Sequence, residues 1–345
     1  MRVLVVSSDV PFVEGGHRII TRALLRALRD SGIEAESWFT TQNPFGRQIQ
    51  AYISNRLTCL QEDGMGRKID GIIALRYPAY CVKADRVVVW LTHRMREYYD
   101  LWDEFCSRIS FAGRIKESVR KAIIHRMDRT CLKRARKIFT ISNTVRDRLK
   151  IWGNFLSETL YPPPPQRNYY VNDYENYFFF PSRLSRLKRQ DIAIKAMKYI
   201  NGAKLVITGN GEERDRLTSI VEMEGLTDRV IFTGFLDERE MVEMYSKALG
   251  VVFIPYKEDY GFVTVEAFYS AKPVITFSDS GGPVELVRDG ENGFITEPTP
   301  EALAEKMAFL VKHREKAREM GHEALKIKDW LNWSSVVEKL TEALK

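Results

Sequence analysis

The chain has 345 residues, 44% hydrophobic and 29% charged, a composition and length that suit two globular domains of roughly 150 residues each. Each half can fill a sizeable core, which excludes a chain dependent on disulfides for folding. The formal net charge is +7, unevenly spread: residues 1–165 hold 28 Lys/Arg and 17 Asp/Glu, an excess of +11, and the remainder holds 25 and 29, a balance of −4. So basic an N-terminal half implies an anionic partner, whether nucleic acid, a lipid headgroup surface or a phosphorylated substrate.

The four cysteines, Cys59, Cys81, Cys106 and Cys131, include no Cys-x-x-Cys pair and no histidine at a zinc spacing. They are expected to be buried or free thiols in a reducing compartment. The opening Met1–Val6 run is too short for the apolar core of a signal peptide, and no apolar run approaches the ~20 residues that span a bilayer. A cytoplasmic protein is expected, at most peripheral to a membrane.

In chain order, short apolar runs alternate with amphipathic segments, the pattern of parallel sheets wrapped by helices. Val3–Val6 predicts a strand, Ser7–Gly16 a loop, and Ile19–Asp30 a helix with Leu24, Leu25 and Leu28 on its apolar face; Gly32 ends it. Further strands are predicted at 71–75, 86–91 and 137–141, with a long basic amphipathic helix over 114–136. The Tyr161-Pro162-Pro163-Pro164-Pro165 run cannot continue a helix or enter a central strand, so the domain boundary is drawn there. A second alternating series follows, with strands at 177–180, 204–208, 230–233, 250–254 and 273–277. Its helices fall at 190–198, 212–224, 238–248, 263–271 and 300–321, and a final amphipathic helix spans 330–344. The domains are therefore 1–165 and 166–327, with 328–345 as the terminal helix.

Three constellations could carry chemistry. Gly15-Gly16 lies between the first strand and its helix, where glycine lets backbone amides approach an anion or a sugar. The pair equally fits a tight turn, and the missing Gly-x-Gly-x-x-Gly argues against a standard dinucleotide site. Ser182–Gln190 sets Arg183, Arg186, Lys188 and Arg189 in one strand-to-helix loop, which suits a diphosphate or, more plainly, a solvated basic loop. The third runs from Pro255 through Glu258 and Gly261 to Phe262, Val263 and Glu266. Free amides at the start of its helix favour a phosphate or a polarised hydroxyl. Glu266 lies about 7.5 Å along the axis from Gly261, an offset that lets Glu258 reach a sugar and Glu266 a ribose across a bridging diphosphate. A carboxylate that accepts two vicinal hydroxyls reads a sugar without acting as a base.

Taken in order, these segments resemble family four of the glycosyltransferases, which have the GT-B fold. The resemblance rests on Ser182-Arg183-Leu184 with Lys188, on Leu205–Gly211, on Val230–Gly234 and on Glu258–Glu266. It continues through Lys272–Ile275, Ser280–Glu285 and Asn292-Gly293. In the N-terminal half only Gly15-Gly16, Leu91–Tyr98 and Ser142–Leu149 are similar, and 40–71 matches nothing.

The resemblance implies an α/β GT-B architecture, two Rossmann-like domains facing each other across a cleft, with the acceptor in the first and a nucleotide-sugar in the second. It implies a retaining hexosyltransferase that needs no metal or other cofactor, takes a UDP- or GDP-linked sugar, and passes it to a glycan, lipid-linked or small-molecule acceptor. Glu258 would hold the donor sugar, Glu266 the ribose, and Arg183 and Lys188 the diphosphate. Amides at Phe262 and Val263, beside Gly261, would face the sugar or distal phosphate under the Gly15-Gly16 loop, and Gly209 belongs to the same binding surface. His93 follows a strand, where the family often has a histidine near the reacting sugar; a hydrogen-bonded strand-end residue is the plainer reading. The family has glycine directly after Lys188, whereas this chain has Arg189, which could itself be a phosphate ligand. The rival readings are a non-hydrolysing sugar-nucleotide epimerase and a non-catalytic protein binding nucleotide or membrane through its basic helix. Nucleic acid is not expected, because no aromatic platform interleaves the charges of that helix. Peripheral contact with the inner face of the cell membrane, or an anionic lipid-linked acceptor, is the favoured outlet for them.

Overall fold

Val87–Leu91 and Tyr177–Pro181 are buried at every position, as strands must be when helices cover both faces of a parallel sheet. A computed structural model describes residues 1–9 and 15–345 of the chain. The chain divides into two units, Met1–Pro162 with Asn332–Lys345, and Pro163–Leu331. Each is an α/β unit built on a six-stranded sheet, and every strand pair is parallel. These are the paired Rossmann-like units of the GT-B architecture.

In the first unit the strands are β1 (Arg2–Asp9), β2 (Glu34–Thr41), β3 (Gly71–Ala74), β4 (Val87–Leu91), β5 (Lys137–Thr140) and β6 (Glu158–Thr159), in the order β2-β1-β3-β4-β5-β6. Its helices are α1 (Gly16–Asp30), α2 (Gln48–Leu57), α3 (Trp102–Cys106), α4 (Phe111–Leu132) and α5 (Asn143–Ile151). Chain order turns back between β1 and β3, and ligands of open α/β sheets sit at the carboxyl ends of strands at such a reversal.

In the second unit the strands are β7 (Tyr177–Pro181), β8 (Lys204–Thr208), β9 (Val230–Gly234), β10 (Gly250–Val252), β11 (Val274–Phe277) and β12 (Gly293–Thr296). Their order, β9-β8-β7-β10-β11-β12, is the doubly wound one, with its reversal between β7 and β10. The helices are α6 (Gln190–Ala196), α7 (Arg214–Met223), α8 (Glu238–Lys247), α9 (Phe262–Tyr269), α10 (Pro300–Lys312) and α11 (Arg314–Leu325). The last helix, α12 (Trp333–Leu344), belongs to the first unit. There Trp333 meets Trp90 of β4 edge to face, and Arg86 donates to the Leu344 carbonyl.

Several expectations need correction. Cys81 and Cys131 are joined by a disulfide, which leaves only Cys59 and Cys106 as free thiols. A sequence separation of 50 hides their closeness: Cys81 ends a 3-10 turn, Ala79–Cys81, that packs against α4, and the two Cα atoms are 5.0 Å apart. The helix expected over 300–321 is two, broken at His313, whose φ −121 and ψ 66 leave the helical region. No glycine or proline marks that break. The basic helix starts earlier and ends earlier than expected, at Phe111 and Leu132, with Ser110 capping the Gly113 amide. Among the described residues no helix is long and apolar enough to cross a membrane.

Candidate nucleotide-sugar site

In the second unit, four loops leave the carboxyl ends of β7, β8, β10 and β11, around the strand-order reversal. Backbone bonds stitch them together. Ser182 donates to Thr208 at 3.2 Å and Leu184 to Asn210 at 3.1 Å. Tyr256 donates to Leu187 at 2.8 Å, across the β7/β10 reversal. The fit is close enough to demand glycine at Gly209: its φ is +109, and a Cβ there would strike the Ser182 carbonyl.

Lys188 and Glu258 meet at this junction, with Nζ 2.5 Å from Oε2. Lys188 closes the 3-10 turn Arg186–Lys188 and lies 5.3 Å from the Phe253 ring centroid. The Glu258 backbone is fixed on both sides: its amide donates to Ser280, and its carbonyl accepts from Gly282. One oxygen of Glu258 thus remains open to a ligand. Arg183 is exposed, and its side chain makes no hydrogen bond or ion pair among the described residues. A cation without a protein partner is the side chain an anionic ligand can recruit at least cost.

Gly261, with φ +86, turns the chain into α9 and supplies no side-chain cap. The first amides of that helix, at Phe262 and Val263, have no acceptor among the described residues, and both residues remain partly exposed. They are the free, dipole-aligned donors that favour an anion.

Glu266 lies one turn further on, buried, with three protein donors. Arg167 Nη1 donates to Oε1 at 2.6 Å and Tyr169 to the same oxygen at 3.1 Å; Tyr245 donates to Oε2 at 2.8 Å. Burial raises this carboxyl, and Arg167 and the phenols pull the other way. Of roughly four lone-pair positions on a carboxylate, one is left, on Oε2. It can accept one ribose hydroxyl while the protein donors stay in place. Sequence reasoning missed Arg167, Tyr169 and Tyr245, which lie 99, 97 and 21 residues away; no local spacing reports them.

Arg189, considered as a phosphate ligand, is committed elsewhere. Its guanidinium binds both oxygens of Asp279, at 2.7 and 3.1 Å, and the Pro255 carbonyl at 2.8 Å. Its backbone is left-handed, φ 56 and ψ 36, the conformation that glycine adopts freely and other residues adopt at a cost of about 1–2 kcal/mol. The Asp279 fork offsets that cost by fastening the β7 loop to the β11 loop. We therefore expect Arg189→Gly to be more stable than Arg189→Ala by about 1–2 kcal/mol, since both lose the fork and only alanine keeps the strain. Thermal melting of the two variants checks this, and equal melting would remove the backbone argument.

The remaining candidates belong to the first unit. Gly15 is extended, φ −160, and caps α1 with its carbonyl, which accepts from Arg18 at 3.0 Å; Gly16 begins the helix. Residues 10–14, the part of the loop expected to close over the donor, lie outside the described residues. Beside Gly15, Asp9 accepts from Arg18 at 2.7 and 2.8 Å, and His17 Nε2 lies 3.1 Å from it. His93 follows β4, half-buried and edge-on to Tyr77. Its Nδ1 is 2.8 Å from the Arg94 carbonyl. A carbonyl only accepts, so Nδ1 carries the proton and Nε2 is left as an acceptor. Burial, with the Arg76 guanidinium next, pushes the ring down to about 3. His93 is therefore neutral at physiological pH.

Residues 166–327 match the family described as glycosyl transferases group 1. An uncharacterized glycosyltransferase of Methanocaldococcus jannaschii is 33% identical over 143 residues, 40% of this chain and 36% of that protein. An alpha-1,3/1,6-mannosyltransferase of Dictyostelium discoideum is 22% identical over 272 residues, 70% of this chain and 63% of that one. The chain thus spans less than two thirds of the length of these curated relatives. Among solved structures, an Anabaena protein in complex with UDP and glucose matches with a TM-score of 0.75 at 19% identity, covering 99% of both chains. A sucrose-phosphate synthase of Thermosynechococcus elongatus matches with a TM-score of 0.75 at 18% identity, over 98% of this chain and 97% of that one. The likeness in fold covers nearly the whole chain, and the family match in sequence spans residues 166–327, the stretch that holds the loops just described. It is the second unit, through residues 166–327, that carries the likeness to the glycosyl transferases group 1 family.

Proposed function

We propose that the chain is a retaining, metal-independent hexosyltransferase that uses a UDP- or GDP-linked donor and a glycan, lipid-linked or small-molecule acceptor. The observation that carries this reading is the Lys188–Glu258 pair beside the free amides of α9, at the strand-order reversal of the second unit. A diphosphate laid along the helix N-terminus would meet Lys188, the unpartnered Arg183 and the Phe262 and Val263 amides. Glu258 would hold sugar hydroxyls, and Glu266 one ribose hydroxyl. The Anabaena structure was solved with UDP and glucose, so UDP is the first nucleotide to test. A cytoplasmic protein would have such donors at hand.

In the transfer, the bond from the anomeric carbon to the diphosphate breaks and a bond to the acceptor oxygen forms on the same face. The acceptor proton passes to the departing phosphate. Negative charge grows on the diphosphate as the bond lengthens, and fixed cations and helix amides lower the barrier by meeting it there. A neutral His93, with Nε2 as an acceptor, suits a contact with a sugar hydroxyl better than an ionic one.

A thermal-shift panel of UDP, GDP, ADP and their sugars tests the reading, because stabilisation follows affinity. One nucleotide should raise the melting temperature, and its sugar should be consumed only when acceptor is added. Conversion of the sugar nucleotide alone would mark an epimerase. For Glu266, replacement by glutamine keeps the packing and removes the charge, and should weaken nucleotide binding by roughly 1.5–3 kcal/mol. Calorimetry that gave equal affinity would take Glu266 out of the ribose site.

A further inference from the structure

Helix α4 has two unlike faces. The inward face carries both of its acids: Glu117 is 8% exposed and accepts from Tyr98 and Arg120, and Asp128 is 1% exposed and accepts from Tyr52, Tyr80 and Tyr99. No carboxylate is therefore exposed on this helix. On the outward face, four large apolar side chains stand in solvent at a spacing of four residues: Phe111 at 79%, Ile115 at 56%, Val119 at 58% and Ile123 at 40%. Single exposed hydrophobics are common; a row of four on one helix face is not.

At 100° per residue, steps of four drift by about 40°, so the row forms a stripe roughly 18 Å long and about 120° wide. The exposed cations Arg114 and Lys116 lie on its two borders. Along the last turns, the exposed Arg126 and Arg129 continue the same face. An apolar centre with cationic borders, and no exposed acid on the helix, is the pattern of a helix that lies in the headgroup boundary of a membrane. The excess of positive charge in residues 1–165 gives it the sign for anionic lipid.

We propose that the outward face of α4 docks this protein on an anionic phospholipid bilayer, with Phe111, Ile115 and Val119 entering the headgroup boundary and Arg114, Lys116, Arg126 and Arg129 meeting lipid phosphates. The proposal gives a surface to the peripheral membrane contact expected from the basic half, and it is independent of which donor the second unit binds. The helix is held for this task from behind. Its buried acids tie it to four tyrosines outside the helix, Tyr52, Tyr80, Tyr98 and Tyr99, so it presents a rigid face and need not fold on the membrane.

The test is co-sedimentation of the full chain with vesicles of phosphatidylcholine alone and of phosphatidylcholine mixed with phosphatidylglycerol, at low and high salt. Binding should require the anionic lipid. Ile115→Ser with Val119→Ser should lower the partition coefficient on the order of tenfold at either salt concentration. Arg126→Gln with Arg129→Gln should lower it about fivefold per residue at low salt, and far less at high salt, where those charges are screened. All four positions are exposed, so melting and nucleotide binding should match the parent, which separates this test from that of the donor site. Equal binding to neutral vesicles, no binding to either kind, or variants that sediment like the parent would overturn the proposal. So would concentration-dependent self-association abolished by the serine variant, which would make the stripe a contact between copies of the chain.

Discussion

Lys188→Ala is expected to lower kcat on the order of 10²-fold or more, with the fold intact. The argument starts from what Lys188 does without ligand: it pairs with Glu258 at 2.5 Å, with both side chains partly open to solvent, 20% and 26% exposed. A pair so placed contributes little to stability, on the order of 1 kcal/mol or less, because water can take over from either partner. The alanine variant should therefore melt close to the parent. In the transfer reaction the same ammonium would face a diphosphate gaining charge as the glycosidic bond lengthens, and, being fixed in place, would meet it without the free-energy cost of reorganisation that water would incur. The stabilisation then appears mainly in the transition state, and its loss in kcat more than in KM. Lys188→Arg should recover part of the rate, because charge is kept while the compact point donor is replaced by a fork. Unchanged turnover in the alanine variant, at saturating donor and acceptor, would remove Lys188 from the chemistry.

Much of the second unit was legible because its signals are contiguous. Phe178 to Phe180 and Leu205 to Ile207 are unbroken apolar runs, and the loops after them carry the motifs in the same stretch of sequence that forms the junction. Cross-chain partners were not legible. Arg167 meets Glu266, and Asp279 fixes Arg189, by closure of the fold over 99 and 90 residues, which no local spacing encodes. The backbone after Lys188 is a middle case: the resemblance marked the missing glycine, and the structure gives Arg189 the left-handed conformation that glycine would have taken. Edge elements were lost for a different reason. β2 lies at the rim of its sheet and buries only Ala35 and Thr40, and α2 turns inward only Gln48, Ala51, Tyr52 and Asn55, so neither shows a clear apolar period. The sequence marked α4 as basic and amphipathic but not which way each charge points. Its acids face inward, and the exposed stripe between the cations emerges only once that is known.

The second large effect is expected at Asp128, and it concerns stability. Its carboxylate sits in the core of the first unit, 1% exposed. Oδ1 accepts from Tyr52 at 2.5 Å and Tyr80 at 2.6 Å, and Oδ2 accepts from Tyr99 at 2.6 Å. These phenols come from α2, the Ala79–Cys81 turn and the segment before α3, so one side chain of α4 joins three elements. Burial raises the carboxyl, opposed by the three phenol donors and by Arg94, whose guanidinium stacks 3.8 Å from the Tyr99 ring centroid. Asp128→Ala leaves three hydroxyls dry and without an acceptor, at about 1–3 kcal/mol each before relaxation. Because the cavity relaxes and readmits water, the net loss expected is about 3–5 kcal/mol. Asp128→Asn keeps one acceptor oxygen and turns the other into a donor facing Tyr hydroxyls that can rotate to accept, so it should lose less. Because burial raises the folded-state value, the parent should lose stability relative to Asp128→Asn as pH rises from the unfolded value through the folded one, while the three phenol hydrogen bonds persist. The disulfide from Cys81 to Cys131 closes the same region covalently, so reduction should enlarge the loss in the alanine variant by removing a second tie across the same helix. Urea titration of the transition belonging to the first unit reads these differences as shifts in midpoint at constant slope, and nucleotide affinity in the second unit serves as the control. An alanine variant as stable as the parent would mean that the tyrosines find other acceptors and that Asp128 does not organise this core.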